Sequence, residues 1–449
     1  MSKTLIVFCF IYVVCGLGTF IIPQMGVWGF LIESNYHPPF RHWGRPLMHL
    51  GDRWSFYIGA AMLASMLLHW GAYQRVPFFK HTQSKLLLLF TVNAFIVTGW
   101  AYNAQDSWKE SVDYLKWLAV FICIVKTHSN RKWLPIILYI YILSCIHAGW
   151  DSTIDPTGGR GVRGGPVTVG DENFMAAHAV ALLPLVGFFA MSPNTNRWIR
   201  LSCVVGVPLI LNIVAHSQSR GAFLALVGAG LSMLFVASGR LRALTLAGLL
   251  VGCLFGLRLF HEEFWERMST IENYEEDRSA TGRVEAWTAA WILADRNPFG
   301  YGAEAFDSGL PEKTIGYNVQ TTHNMFFEIL VAWGWQGVIL FFGFIAFTAW
   351  DCWKLRGAFR QLAQWPPRPE YLEAAGILAG LVAMLIASIF LNRVRWELWW
   401  IFGAYVVCLK NIHAEQLQSQ LQHNAVHQTP YQPGFTRAHP HPKYEMESG

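Results

Sequence analysis

Apolar runs follow one another from residue 5 to residue 410, most of them long enough to cross a lipid bilayer as helices, and this succession limits the chain to a bundle of membrane helices. A crossing helix takes roughly 20 residues, fewer where its polar ends snorkel. About twelve runs qualify: 5–22, 54–70, 86–102, 114–126, 133–149, 174–191, 199–215, 221–238, 243–259, 324–350, 373–391 and 396–410. The run 114–126 is short and carries Lys116. With 53% hydrophobic and only 14% charged residues, a soluble core would be unusual. The expected fold is all-α and polytopic over residues 1–410, followed by a disordered cytoplasmic tail, 411–449, rich in Gln, His and Pro.

Basic residues in short connections set the orientation. With the N-terminus cytoplasmic, Arg75, Lys80 and Lys85, then Lys126, Arg131 and Lys132, then Arg197 and Arg200, Arg240 and Arg242, and finally Lys354, Arg356, Arg360 and Arg368 all fall inside. The outside positives are mostly arginine, whose flat, permanently charged fork suits phosphate or carboxylate. The eight cysteines lie in or beside apolar runs without a CxxC spacing and read as buried free thiols. Gly248, Gly252 and Gly256 form a small-residue stripe expected to pack closely against another helix.

One long polar interruption, from Phe260 to Thr322, then lies outside and ends at His323-Asn324. A chain that keeps its other connections short and gathers polar residues in one loop is expected to have its site there. Within the loop, 283–295 reads as a surface helix with Val284, Trp287, Trp291 and Ala294 on one face, ended by Asn297-Pro298 and Gly300. Two tryptophans a turn apart suit a membrane interface, as a lid over a lipid-linked substrate or as simple packing. A second outside segment, 150–172, is broken by glycines and carries Arg160, Arg163 and Asp171.

Three cationic or titratable residues share one expected geometry. Arg220 follows Ser217-Gln218-Ser219 and opens a span, Arg283 follows Thr281-Gly282 and opens the loop helix, and His323 follows Thr321-Thr322 and opens the next span. A cation at a helix N-terminus is disfavoured by roughly 0.3–1 kcal/mol unless an anion binds there. A phosphate-like ligand accounts for the three together. Neighbouring arginines and the helix end keep His323 neutral and able to take a proton from a hydroxyl, while the arginines hold a departing pyrophosphate. No metal-binding constellation and no nucleotide-binding glycine loop accompanies them. Outside the cytoplasm there is no ATP, so the donor must arrive already activated.

At these residues the sequence resembles a known family. Ser217-Gln-Ser-Arg220-Gly221-Ala-Phe, Gly282-Arg283 with Trp287, Pro298-Phe-Gly300-Tyr-Gly302, and His323-Asn324 with Gly334 and Gly337 are similar to the O-antigen ligase and polymerase superfamily of bacterial envelopes, over roughly Pro166 to Phe342. Phe40-Arg-His-Trp-Gly-Arg45 more loosely resembles the O-glycosylation ligases found beside exosortase systems. The resemblance implies a glycosyltransferase of the C-type membrane fold in the bacterial inner membrane, working without metal or other cofactor on the periplasmic face. It implies an undecaprenyl pyrophosphate-linked glycan as donor and a hydroxyl of lipid A–core, of another glycan or of protein as acceptor, with membrane lipids around it and no nucleic-acid partner. Arg220 and Arg283 then match the pyrophosphate-binding arginines and His323 the general base. Asn324, Arg160, Arg163 and Asp171 complete the expected substrate-binding set. Asp171-Glu172-Asn173 stands where relatives carry an Asp-Asn-type pair, and Ala332-Trp333 where they commonly carry an acidic residue.

Glu328 inside a span and Arg393 and Arg395 in a very short outside loop are expected to form a structural ion pair with Glu397 or with each other's neighbours. Two other functions fit the same residues: a polymerase with a glycan acceptor, and a transporter or flippase of lipid-linked glycan in which the arginines escort a phosphate headgroup. Transporters favour broken helices and charges at the membrane midplane, whereas these candidates cluster at the outer surface.

Overall fold

A computed structural model describes residues 3–38, 43–44, 46, 53–154, 171–259, 265, 278–361, 365–392 and 394–427, and all regular structure among them is helical. The first helices are α1 Lys3–Gly18, α2 Gln24–Tyr36, α3 Trp54–Leu68, the single turn α4 Trp70–Tyr73, α5 Thr82–Thr98, α6 Ala104–His128 and α7 Leu134–Ile154. There follow α8 Glu172–Met191, α9 Arg197–Ser217, α10 Arg220–Val236 and α11 Gly239–Leu259. The polar interruption holds α12 Arg278–Arg296 and the short α13 Leu310–Ile315; the chain closes with α14 Met325–Gln361, α15 Pro369–Ala387 and α16 Glu397–His427. Each of the twelve apolar runs coincides with a helix. Among the described residues, five helices (α7, α8, α9, α14 and α15) are long and apolar enough to cross a membrane.

The bundle has two chemically distinct ends. At one, Lys126 donates to the carbonyls of Tyr73 (3.2 Å) and Val76 (2.6 Å), Arg131 pairs with Glu373 at 2.6 Å, and Lys410 pairs with Asp351 at 2.6 Å. This end gathers the basic connections expected to face the cytoplasm. The other end carries His323, Arg220 and residues 278–322 of the polar interruption.

The helix α2 was not among the apolar runs. Its 13 residues include Glu33, Ser34 and Asn35, all buried, so it fails a test based on length and hydropathy. Its polar side chains are satisfied inside the bundle: Ser34 donates to Glu397 at 2.7 Å, Ser55 and His37 bond Glu33, and Ser144 donates to Asn35 at 2.7 Å. Gln24, at the start of α2, donates to the carbonyl of Thr127 at 3.0 Å, which fixes that terminus at the Arg131 end. The preceding helix α1 packs antiparallel to it, with Leu5 and Phe8 against Trp43 and Tyr36. The extra traverse therefore starts α1 at the His323 end, the reverse of the placement expected from twelve runs.

Three further expectations are corrected. The glycine stripe on α11 is open at two of its three positions, since a Cβ at Gly248 or Gly252 would meet no atom within 4 Å. Close approach is made by α15 instead, where Cβ atoms at Gly376 and Gly380 would come within 2.5 Å of Leu185 and of the Ala181 carbonyl on α8. Residues 411–427 of the segment expected to be a disordered tail are helical, and 428–449 lie outside the described residues. The helix α16 continues to His427, a stretch rich in Gln, Leu, Ala and Glu with good helix propensity, and Asn411 in it donates to Ser129 and to the Pro77 carbonyl. Arg395 pairs with Glu304 at 2.7 Å and Glu110 at 3.8 Å, and Glu397 is bonded to Ser34 instead.

Candidate functional site

The turn that delivers Arg220 is two residues long. The helix α9 ends at Ser217, Gln218 takes a left-handed conformation (φ 50°), and Ser219 caps α10 by accepting from the Ala222 amide at 3.3 Å. Ser217 Oγ also accepts from the Ser219 amide at 3.2 Å. Arg220 is thus the first residue of its helix, as expected, and Gly221 beside it lies on Phe390, whose Cβ would be 3.0 Å from an added Cβ.

Arg283 does not open its helix. The helix α12 begins at Arg278, so Arg283 stands in the second turn; Gly282 is carried within the helix and does not start it. The helix-end argument for a bound anion therefore holds for Arg220 and not for Arg283. What brings the two together is Phe390, in the turn after α15: the guanidinium of Arg283 lies over its ring, 5.9 Å from the centroid, on the residue that Gly221 touches.

His323 stands two residues before α14, in a left-handed conformation (φ 45°) uncommon for a residue with a Cβ. The chain on both sides is over-determined. Asn324 caps α14, its Oδ1 accepting from the Phe326 amide at 2.9 Å, while its Nδ2 donates to the Ile389 carbonyl at 3.2 Å. The Met325 amide donates to the Ser388 carbonyl at 3.0 Å and Asn392 donates to Thr321 Oγ1 at 2.7 Å. On the other flank, the Trp287 indole donates to the Thr322 carbonyl at 2.9 Å. The side-chain amide of Asn324 is thus engaged in this framework on both its oxygen and its nitrogen.

The imidazole of His323 is exposed at the surface of this framework. Local loss of water and, next, the positive charge of Arg283 hold its pKa below the ordinary value, with Asp171 acting in the opposite direction. Asp171 is at the same time the cap of α8, accepting from the Phe174 amide at 2.9 Å. His323, Arg283, Arg220 and Asp171 are therefore gathered from four separate parts of the chain. Arg160, Arg163 and Arg393 lie outside the described residues. No three His, Cys, Asp or Glu side chains converge as metal ligands among the described residues.

The floor of the loop is built from backbone. The helix α14 is broken at Gly334 (φ 69°, ψ −174°), which frees carbonyls one turn earlier. The Tyr301 amide donates to Val331 O at 2.8 Å, Gly302 to Ala332 O at 2.9 Å, and the Trp335 amide donates back to Pro298 O at 3.0 Å. A Cβ at Gly300 would lie 2.6 Å from Ala332 O, and one at Gly334 would lie 2.5 Å from Pro298 O. The two glycine motifs are thus one contact between two backbones, and the broken helix is filled by the loop.

Behind the segment that carries His323 lies a set of acidic groups that the sequence indicated only through Glu328 and Arg395. Glu110, Glu304, Asp307, Ser308 and Arg395 border a cavity of about 300 Å³, and Glu110, Glu328 and Thr322 line a smaller one beside it. Burial, then Glu304, pushes the Asp307 carboxyl up to about 6, against the lowering effect of Arg395. On α12, Ala286, Ala289, Ala290 and Leu293 face inward, leaving Val284 (55%) and Trp291 (53%) exposed. Trp287 packs on Phe327 at 5.8 Å instead of presenting its ring outward.

Residues 204–342 match the model of the O-antigen ligase family (Wzy_C), a region that contains Arg220, Arg283 and His323. No curated protein matches the chain.

Proposed function

We propose that this chain, whose residues 204–342 carry the O-antigen ligase match, transfers a glycan from undecaprenyl pyrophosphate to an acceptor hydroxyl on the periplasmic face of the bacterial inner membrane. The observation that carries the reading is the convergence of a neutral-leaning His323 with Arg283 and, through Phe390, with Arg220. His323 takes the proton of the acceptor hydroxyl as its oxygen bonds to the anomeric carbon. The bond from that carbon to the pyrophosphate oxygen breaks, and the lipid pyrophosphate leaves with the electron pair. A single displacement inverts the anomeric centre.

Arg220 and Arg283 serve as fixed donors to the leaving group, where charge-assisted bidentate bonds are strongest as its charge develops. Asp171 favours the imidazolium that forms after proton transfer, while Arg283 favours the uncharged resting imidazole, which is free to accept a proton. The exposed Val284 and Trp291 suit a helix lying at the membrane interface beside a lipid-linked donor.

The reading is tested by incubating purified protein with undecaprenyl pyrophosphate glycan and, separately, with lipid A–core, protein and free repeat unit. One acceptor should gain the mass of the glycan. A ladder of lengths on the free repeat unit would identify a polymerase with the same chemistry. Movement of labelled lipid across liposomes without product would overturn the transferase.

A further inference from the structure

The structure assigns a second anion site, at the Arg131 end, to the phosphate headgroup of an acidic phospholipid. A cavity of about 260 Å³ there is lined by Ser238, Gly239, Arg240, Arg360, Trp365 and Tyr371. Arg240 and Arg242 stand in the first turn of α11, where the helix dipole disfavours cations. The guanidinium of Arg240 lies over the Trp365 ring, 4.9 Å from its centroid. Arg356 adjoins the cavity through Val236, whose carbonyl accepts from both Arg356 Nη1 (2.7 Å) and the Tyr371 hydroxyl (3.0 Å). Arg356 is only 6% exposed, and its Nε is buried with no hydrogen-bond partner among the described residues.

Four guanidinium groups in this region therefore lack an ion pair among the described residues. The nearby carboxylates do not serve them: Glu370 and Glu373 pair with Arg131, and Asp351 with Lys410. Arginines that only mark topology need no cavity, no aromatic stack and no buried member. A phosphate in the cavity would supply the missing charge and relieve the opposed helix end. The source is a lipid because an apolar wall continues from the arginines: the Arg356 guanidinium lies 3.8 Å from the centroid of Trp353, which stacks on Phe235, itself 69% exposed. Such a wall fits acyl chains and has no use for a free phosphate.

The test uses the whole protein in nanodiscs of phosphatidylcholine with or without phosphatidylglycerol, with retained lipid counted by native mass spectrometry. Wild-type protein should retain phosphatidylglycerol in preference to phosphatidylcholine, and soluble glycerol phosphate should not displace it at millimolar concentration. The double variant R240Q/R360Q, in which both changes are at exposed positions, should lose about 30-fold in affinity, since each basic residue near an anionic surface contributes about fivefold. R240K/R360K should retain most of the binding, and unchanged melting of both variants excludes misfolding. Equal retention of phosphatidylglycerol by R240Q/R360Q, equal retention of the two lipids by wild type, or displacement by glycerol phosphate would each overturn the assignment.

Discussion

Trp287 donates its indole N–H to the carbonyl of Thr322 at 2.9 Å, which ties the helix bearing Arg283 to the residue immediately before His323. Trp287 is one turn beyond Arg283, so this single bond sets the spacing between the proposed base and one of the proposed pyrophosphate ligands. Replacing Trp287 with Phe keeps the ring on Phe327 and removes only the donor. The stability cost should be about 1 kcal/mol, read as a small drop in melting temperature. Turnover should fall further, by roughly 10- to 100-fold, because positional errors on the order of 1 Å are costly in a displacement. A variant with normal turnover would show that the bond does not position His323.

The pH dependence follows from the groups around His323. Its pKa is lowered in the folded protein, so activity should rise with pH through a midpoint below about 6.5. Arg283 lowers that pKa, so Arg283→Gln should move the midpoint up as well as slowing the reaction. Asp171 raises it, so Asp171→Asn, which retains a good helix cap, should move the midpoint down. Shifts in the same direction for the two variants would contradict the electrostatic arrangement.

The glycines at the floor of the loop have a different signature. Gly300→Ala places a methyl group 2.6 Å from the Ala332 carbonyl in a conformation with φ 91°. Backbone surrounds this position and cannot yield as a side chain would. The substitution should cost at least about 1–3 kcal/mol and reduce the amount of folded protein, with activity per folded molecule falling as the loop shifts. Gly248→Ala, on the open stripe of α11, should be neutral by the same melting measurement.

Asp307 gives the outer loop its own response to acid. Its carboxyl is raised above the ordinary value to about 6, so the folded state holds the proton more tightly than the unfolded chain. Its contribution to stability is therefore present at low pH and is lost as pH rises between about 4 and 6. Asp307→Asn should remove that slope and stabilise the loop at neutral pH, measurable by hydrogen exchange of residues 300–309. Persistence of the slope in the variant would place its origin elsewhere.

Much of the helical framework was legible in the sequence because each apolar run is a local property. The run 114–126 looked marginal with Lys116, yet it lies within the 25-residue helix α6. What escaped depended on distant partners. Glu33, Ser34 and Asn35 disqualify α2 by composition, but their partners Ser55, Glu397 and Ser144 lie elsewhere in the chain. Arg220, Arg283 and His323 could be chosen from local patterns, whereas Phe390 and Asn392, which sit between them, carry no pattern of their own. Gly282 looked like a helix start because glycine usually interrupts, and α12 simply runs through it. Asn324 was legible as a polar residue beside a base, and its position one residue before α14 also suits the cap that its Oδ1 makes.

The central claim is that His323 accepts the proton of the acceptor hydroxyl while Arg220 and Arg283 hold the leaving pyrophosphate. The most direct measurement is the single-turnover rate of purified His323→Ala with undecaprenyl pyrophosphate glycan and a competent acceptor, in the presence of chelator. The wild-type protein should turn over unimpeded by chelator, and the variant should be slowed about 10²–10⁴-fold with donor binding largely retained. Glycan transfer by His323→Ala at the wild-type rate would contradict the account.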